Sequence, residues 1–310
     1  MKSNLFNWLT GFLCIMFFGF FAMEVEAQIV FGPQRIIAQS ETNGAHSVYA
    51  ADLDGDGDMD ILTASYIDDK IAWYANDGTG NFGEQQIIST DADFAESVYA
   101  ADLDGDGDMD VLSASVNDNK IAWYENDGTG NFNGQQIISL NANGAFCVYA
   151  TDIDGDGDMD VLSASHVDNK IAWYENNGTG NFGEQQIIST TVDGARSVYA
   201  ADLDGDGDID VLSAAWNDGK VAWYANDGTG NFGEQQIIST TAYGANTLYA
   251  IDIDDDGDMD VLSASFNMYT DKIVLYKNDG AGNFGEQQII SSTIDGARSV
   301  YAADVDDDGD

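Results

Sequence analysis

Residues 99–115 read YAADLDGDGDMDVLSAS, and close copies begin at Tyr49, Tyr149, Tyr199 and Tyr249. Carboxylates stand at every second position from Asp102 to Asp110. Two carboxylates about 4 Å apart repel by roughly 4 kcal/mol at an effective dielectric near 20, so a loop built this way needs a cation. Hard oxygen donors at alternate positions of a tight turn suit Ca²⁺, which takes about six to eight of them.

In the first copy Asp52, Asp54, Asp56 and Asp60 are assigned as side-chain ligands and Asp58 as a ligand through its carbonyl, with Gly57 supplying a turn at positive φ. The same positions are Asp102, Asp104, Asp106, Asp108 and Asp110; Asp152, Asp154, Asp156, Asp158 and Asp160; and Asp202, Asp204, Asp206, Asp208 and Asp210. Further on they are Asp252, Asp254, Asp256, Asp258 and Asp260, then Asp304, Asp306, Asp308 and Asp310. One Ca²⁺ per loop, up to six, is expected. Rival metals fit poorly. An EF-hand needs a carboxylate at its twelfth position, where the first loop has Thr63. Zinc or iron would want His or Cys, and beyond residue 27 the chain offers only His46, His166 and Cys147.

The repeat is 50 residues long, and NFGEQQIIST recurs unchanged at 81–90, 181–190 and 231–240. Each copy holds four short β-prone runs, such as SVYAADL, MDVLSAS, KIAWYEN and GEQQIIS, divided by Asp/Gly and Asn/Gly turns. Four strands per repeat and no helical stretch predict an all-β fold, a β-propeller of four-stranded blades. Blades are expected at 46–90, 96–140, 146–190, 196–240 and 246–292, with a sixth begun at 298–310. Residues 29–40 read as a fourth strand without its first three, as when an N-terminal strand closes the ring. The stop inside the sixth loop suggests that more of the ring follows. Small Ala50, Ala51, Ala100 and Ala101 fit an innermost strand, and Trp73, Trp123, Trp173 and Trp223 fit the space between blades.

With 55 acidic against 10 basic residues the chain carries a formal charge of −45, which excludes nucleic acid and anionic lipid as partners. At the N-terminus Lys2, an apolar run from Leu5 to Met23 and Val25-Glu26-Ala27 predict a cleaved export signal over 1–27. The expected destination of 28–310 is outside the cell, secreted or on its surface, with no membrane insertion after cleavage. An uncleaved anchor is the other reading of this run. Cys147 replaces the serines at 47, 97 and 197 and reads as a small buried residue. The Asn177-Gly178-Thr179 sequon reads as a chance variant of the repeat's turn.

The Asp-x-Asp-x-Asp-Gly-x-x-Asp loops, with Phe31-Gly32, Phe82-Gly83, Phe182-Gly183, Phe232-Gly233 and Phe284-Gly285 ahead of pairs such as Gly194-Ala195, resemble the FG-GAP/VCBS repeat family. That resemblance implies an integrin-α-like propeller, typically seven-bladed, with calcium between the first and second strands of a blade. Proline is missing after Gly-Ala, Phe132 is followed by Asn133, the second copy has Phe94-Ala95, and loops five and six carry Asp255 and Asp307. These departures concern turns more than ligands.

Comparison among the repeats separates constant from variable positions. The acidic loop and the NDGTGN turn hardly change. Two connections do: before the first strand stand His46, Glu96, Phe146, Arg196, Asn246 and Arg298, and between the second and third stand Tyr66, Val116, His166, Trp216 and Phe266. In an up-and-down blade both emerge opposite the acidic loops. Tyr66, Phe146, His166, Arg196, Trp216 and Phe266, with Tyr243 nearby, are the candidate ligand face, suited to a glycan or an extracellular protein. No acid–base pair is evident for catalysis, since His46 and His166 sit in different repeats without a partner. The expected function is calcium-dependent adhesion or glycan recognition without enzymatic activity. An exported carbohydrate-active enzyme or a ligand-free spacer are the alternatives.

Overall fold

The computed structural model describes residues 33–34, 36–37, 43–266 and 271–305. The expected export signal, most of the expected closing strand and Asp306, Asp308 and Asp310 lie outside the described residues. In the first repeat β1 (Ala45–Ala51), β2 (Asp60–Ser65), β3 (Lys70–Tyr74) and β4 (Gln86–Ser89) pair in chain order as an antiparallel meander. The second holds β5 (Ala95–Ala101), β6 (Asp110–Ser115), β7 (Lys120–Tyr124) and β8 (Gln136–Ser139). The third has β9 (Ala145–Thr151), β10 (Asp160–Ser165), β11 (Lys170–Tyr174) and β12 (Gln186–Ser189). The fourth has β13 (Ala195–Ala201), β14 (Asp210–Ala215), β15 (Val221–Tyr224) and β16 (Gln236–Ser239). The fifth has β17 (Ala245–Ile251), β18 (Asp260–Ser265), β19 (Lys272–Tyr276) and β20 (Gln288–Ser291).

One register serves all five sheets: Leu62 faces Tyr49 and Trp73, and Trp73 faces Gln86, as Leu112, Tyr99, Trp123 and Gln136 do in the second. The central strands are buried on both faces, so β6 and β7 have no exposed residue. Outer strands are the wet ones; Ile87, Ile137 and Ile187 are more than half exposed.

The core lies between neighbouring sheets. Leu62, Ala64, Ile71 and Trp73 of the first repeat pack with Val98, Ala100, Val111 and Tyr124 of the second. Trp73 is 2% exposed and reaches across to the next repeat's NDGTGN turn, where it meets Phe132 edge-on at 6.5 Å. Gly130 there has φ +74°, and a Cβ would come within 2.4 Å of the indole. Glycine is therefore required twice over, by conformation and by space. The same contact recurs as Trp123 on Gly180, Trp173 on Gly230 and Trp223 on Gly282. Removing such a tryptophan costs about 3–5 kcal/mol.

First strands stand beside one another, β1 against β5, β5 against β9, β9 against β13 and β13 against β17. A ladder of tyrosines marks the seam: Tyr49, Tyr99, Tyr149, Tyr199, Tyr249 and Tyr301 meet in sequence at centroid separations of 4.6–5.3 Å. Residues 298–305, expected to begin a strand, continue this ladder without forming one. Arg298 Nη1 lies 2.8 Å from His46 Nε2, joining the last described repeat to the first across 252 positions.

Candidate functional site

The acidic loops connect the first strand of each sheet to the second. In the first, Asp52 folds the loop by accepting the Gly55 and Gly57 amides, each at 2.9 Å. Gly57 sits at φ +93°, as its place in the spacing predicts. Asp60 is fully buried; its oxygens accept the Leu53 and Asn76 amides, both at 2.8 Å. One oxygen each of Asp52, Asp54 and Asp60 then lie within 4.8 Å of one another. The same happens for Asp102, Asp104 and Asp110 and for Asp152, Asp154 and Asp160, whereas the fourth and fifth clusters take Asp206 and Asp256 as third member, beside Asp202 and Asp204 and beside Asp252 and Asp254. Each of the five described repeats thus holds an acidic cluster able to coordinate a divalent cation.

A hard cation fits this donor set. All donors are oxygens, and Oδ1 of Asp54, Asp104 and Asp204 is buried with no hydrogen-bond partner, an arrangement that is costly unless a positive charge compensates it. Burial, and then the neighbouring Asp104 and Asp106, push the Asp110 carboxyl up to about 7, and Asp160 and Asp210 are raised to about 7 likewise. The carboxylate of Asp58 turns elsewhere: a Cβ on Gly78, in the NDGTGN turn of its own repeat, would meet Asp58 Oδ2 at 2.4 Å. Asp108, Asp158, Asp208 and Asp258 stand in the same relation to Gly128, Gly178, Gly228 and Gly280. Their side chains are therefore outside the converging oxygens. Loop five has its own organic cation, since Lys277 is ion-paired with Asp254.

At the other ends of the strands the variable residues come together. His46, Glu96, Phe146, Arg196 and Asn246 are the second residues of β1, β5, β9, β13 and β17, inside the strands and not ahead of them. In every sheet the pairing register slips at this residue, as between Ala45 and Ser47, and such a bulge re-aims a side chain. The second variable set follows the second strand. Tyr66, Val116, His166, Trp216 and Phe266 each donate their amide to the carbonyl two residues before the variable strand position, that of Gly44, Phe94, Gly144, Gly194 and Gly244, at 2.9–3.1 Å. That shared bond is why two connections far apart in each repeat meet.

These side chains line one hollow of about 410 Å³, which includes Tyr66, Phe146, His166, Arg196, Trp216 and Phe266. His46, Phe94, Glu96, Val116 and Arg298 complete the wall. Tyr243 does not join it and lies half exposed against Gly219. A narrower hollow of about 270 Å³ continues between the first strands, past Ser47, Ser97, Cys147 and Ser197. Cys147 is only partly buried there, and its thiol is pushed above its ordinary value by burial.

His46, which sequence reasoning leaves without a partner, turns Nδ1 to the Glu96 carboxylate. Because arginine only donates, Nε2 accepts from Arg298. The Arg196 guanidinium lies 3.5 Å from the Trp216 ring centroid and 4.7 Å from that of Phe146. Burial lowers its pKa to about 10, so it stays cationic at neutral pH. Burial, then Arg196, lowers that of His166. Phe94 was legible as a departure from Gly-Ala but not as a site residue; it adopts φ +61° and meets the Tyr66 ring, tilted by 55°, at 4.9 Å.

The FG-GAP-like repeat matches five overlapping stretches, 52–113, 102–163, 152–213, 202–263 and 252–310. The chain belongs to the FG-GAP-like repeat family. The first four matched stretches each run from one acidic loop to the second strand of the following repeat. No curated protein matches the sequence. Among solved structures, a lectin of Agrocybe aegerita that specifically recognises non-reducing terminal N-acetylglucosamine is 21% identical, with a TM-score of 0.59 over 80% of this chain and 66% of its own. This FG-GAP-like chain thus spans about two thirds of the lectin's length. BBS1N, solved in complex with ARL6DN, is 13% identical with a TM-score of 0.52 over 80% and 69% of the two chains. AofleA from Arthrobotrys oligospora is 13% identical with a TM-score of 0.51 over 81% and 73%. At such identities the likeness is one of fold. Among the described residues no helix is long and apolar enough to cross a membrane.

Proposed function

We propose that this FG-GAP-like chain is a calcium-stabilised recognition module, secreted or held at the cell surface, which binds glycans through the hollow formed by its variable residues. One observation carries the reading: the constant positions lie at one end of the strands as acidic loops, while the variable positions converge at the opposite end into a single concavity. The sheets are the blades of a propeller ring in this reading, and the contact of Arg298 with His46 supports closure. When bound, Ca²⁺ supplies the positive charge that lets the carboxylates of each acidic loop share one centre. Asp52, Asp54 and Asp60 and their counterparts would hold it.

Binding without catalysis fits the hollow best. Among the described residues Glu96 is the single carboxylate in its wall, and it faces His46, whereas glycoside hydrolysis ordinarily needs a pair. A hollow of this volume lies within the range of about 300–1,000 Å³ used for small ligands, and a fold shared with an N-acetylglucosamine lectin supports a sugar as occupant. The test is a glycan-binding screen on the calcium-loaded protein beside a polysaccharide-degradation assay. Saturable binding without product is expected; product without binding would overturn the reading.

A further inference from the structure

Arg196 and Arg298 are the two arginines among the described residues, and both line the hollow. Neither forms an ion pair with any described carboxylate, although the chain carries 55 acidic residues. The nearby candidate, Glu96, is taken by His46. The Arg196 guanidinium is instead held by a neutral amide, and Arg298 is held at its backbone carbonyl while its Nη1 meets His46 Nε2 at 2.8 Å. Asn246 accepts from Arg196 Nη1 at 3.1 Å through Oδ1 and donates through Nδ2 to the Arg298 carbonyl at 2.7 Å. Thr247 donates to that same carbonyl at 2.7 Å. Stacking on Trp216 occupies a face of the Arg196 guanidinium and Asn246 takes a bond from Nη1, while Nε is buried without an acceptor. A guanidinium edge presents paired donors matched to a carboxylate or another oxyanion.

Much of the remaining wall is aromatic, with Tyr66, Phe94, Phe146, Trp216 and Phe266. Phe94 keeps its ring there although φ +61° is a conformation its sister repeats give to glycine, a strain that proteins retain where a site needs the side chain. Arg298 also lies over Phe266 at 5.0 Å. A protein partner would need about 800 Å² of surface on this side, whereas the donors here converge inside one small concavity.

We infer that the hollow takes an anionic saccharide, whose carboxylate or sulfate ester sits on the edges of Arg196 and Arg298 and whose ring lies on the wall of Tyr66, Phe94 and Phe266. This deepens the glycan-recognition reading and rests on it. The molecule's overall charge of −45 repels anions at a distance, so selectivity for one depends on these two donors at contact.

Titration calorimetry on the calcium-loaded protein tests the inference with matched ligands: oligogalacturonate and its neutral methyl ester, a sulfated galactan oligosaccharide and its desulfated form, and an acidic peptide. The charged member of a pair is expected to bind at least tenfold more tightly than its neutral counterpart, and which pair responds tells carboxylate from sulfate. Arg298→Gln should remove at least tenfold of that affinity; the side chain is exposed, and unchanged calcium-dependent melting shows that the variant folds. Arg298→Lys should recover part of the loss. Equal binding of both members, unaffected by Arg298→Gln, overturns the inference and leaves glycan recognition standing. Binding of the acidic peptide alone overturns it in favour of a protein ligand. Binding of no saccharide, here or in the glycan screen, overturns both.

Discussion

The side-chain amide of Asn126 donates at 2.8 Å to the carbonyl of Leu53, 73 positions earlier in the chain. Leu53 stands between Asp52 and Asp54, so a residue of one repeat fixes the acidic loop of the repeat before it. Asn126 also donates to Met109 O, and its own amide is accepted by Asp110. Asn176, Asn226 and Asn278 make the same reach to Leu103, Ile153 and Leu203.

Asn126→Ala leaves two carbonyls without their donor in a buried setting, which costs about 1–3 kcal/mol. The loss should appear in urea unfolding with calcium present. A second effect is expected at a distance from the change in sequence: weaker calcium binding in the loop of Asp52 to Asp60. Unaltered stability and unaltered calcium titration together would show that Asn126 does not brace that loop.

Calcium and protons should compete. The Asp110, Asp160 and Asp210 carboxyls are raised to about 7 by burial, against about 4 in an unfolded chain. A raised folded value means that the metal-free fold holds protons which the unfolded chain releases, so stability present below about pH 4 is lost as pH rises toward 7. Calcium needs the deprotonated form, and its affinity should rise with pH over that window by about tenfold per unit for each proton displaced. Melting scans at pH 5 and 8, with chelator and with calcium, provide the measurement. With chelator the pH 5 sample should melt higher, and calcium should raise the pH 8 sample more. A pH-independent calcium effect would be incompatible with protonated loops.

Loop five should be the weakest cation site. Its Asp254 is paired with Lys277, where other repeats have Ala75, Glu125, Glu175 and Ala225. Calcium must displace that ammonium before Asp254 can contribute. Lys277→Ala is expected to add a tight site, or to tighten the last one filled, in a calorimetric calcium titration. No change in stoichiometry or affinity would mean that the ion pair does not hinder binding.

Phe94 offers a test in which stability and binding move apart. Phe94→Gly relieves a left-handed backbone conformation and should stabilise the fold by about 1 kcal/mol, read as a higher unfolding midpoint. It also removes a ring from the hollow and should weaken any saccharide bound there. Loss of stability would show that the ring's packing on Tyr66 outweighs the backbone strain.

The repeat was legible because two periodicities agree. Alternating carboxylates announced a loop able to hold a cation, and the 50-residue spacing announced a sheet per copy. Variation among copies pointed to Tyr66, Trp216 and Phe266, since positions free of the scaffold can diverge. What that comparison missed is contact across repeats. Nothing local marks Asn126 as the brace of Leu53, because its partner is in another sheet. Nothing in the spacing distinguishes Asp58 from Asp54 either; only the folded turn brings Gly78 against Asp58. His46 looked isolated because Glu96 and Arg298 belong to other repeats. The variable residue of each first strand was read as a loop residue, since a bulge breaks the alternation by which a strand is recognised.

Trp73 reaches forward to Gly130 while Asn126 reaches back to Leu53, so neighbouring sheets among the described residues are joined by the same polarised junction, and the longest of these tethers spans only 75 positions. Assembly therefore has no obligatory starting point. Any two adjacent sheets contain a whole junction, and a third can dock on either flank in the way repeat arrays extend from a local nucleus. On the ribosome, a repeat becomes fully braced once its successor's NDGTGN turn has emerged. An error in one copy then disturbs at most two junctions and leaves the others to form.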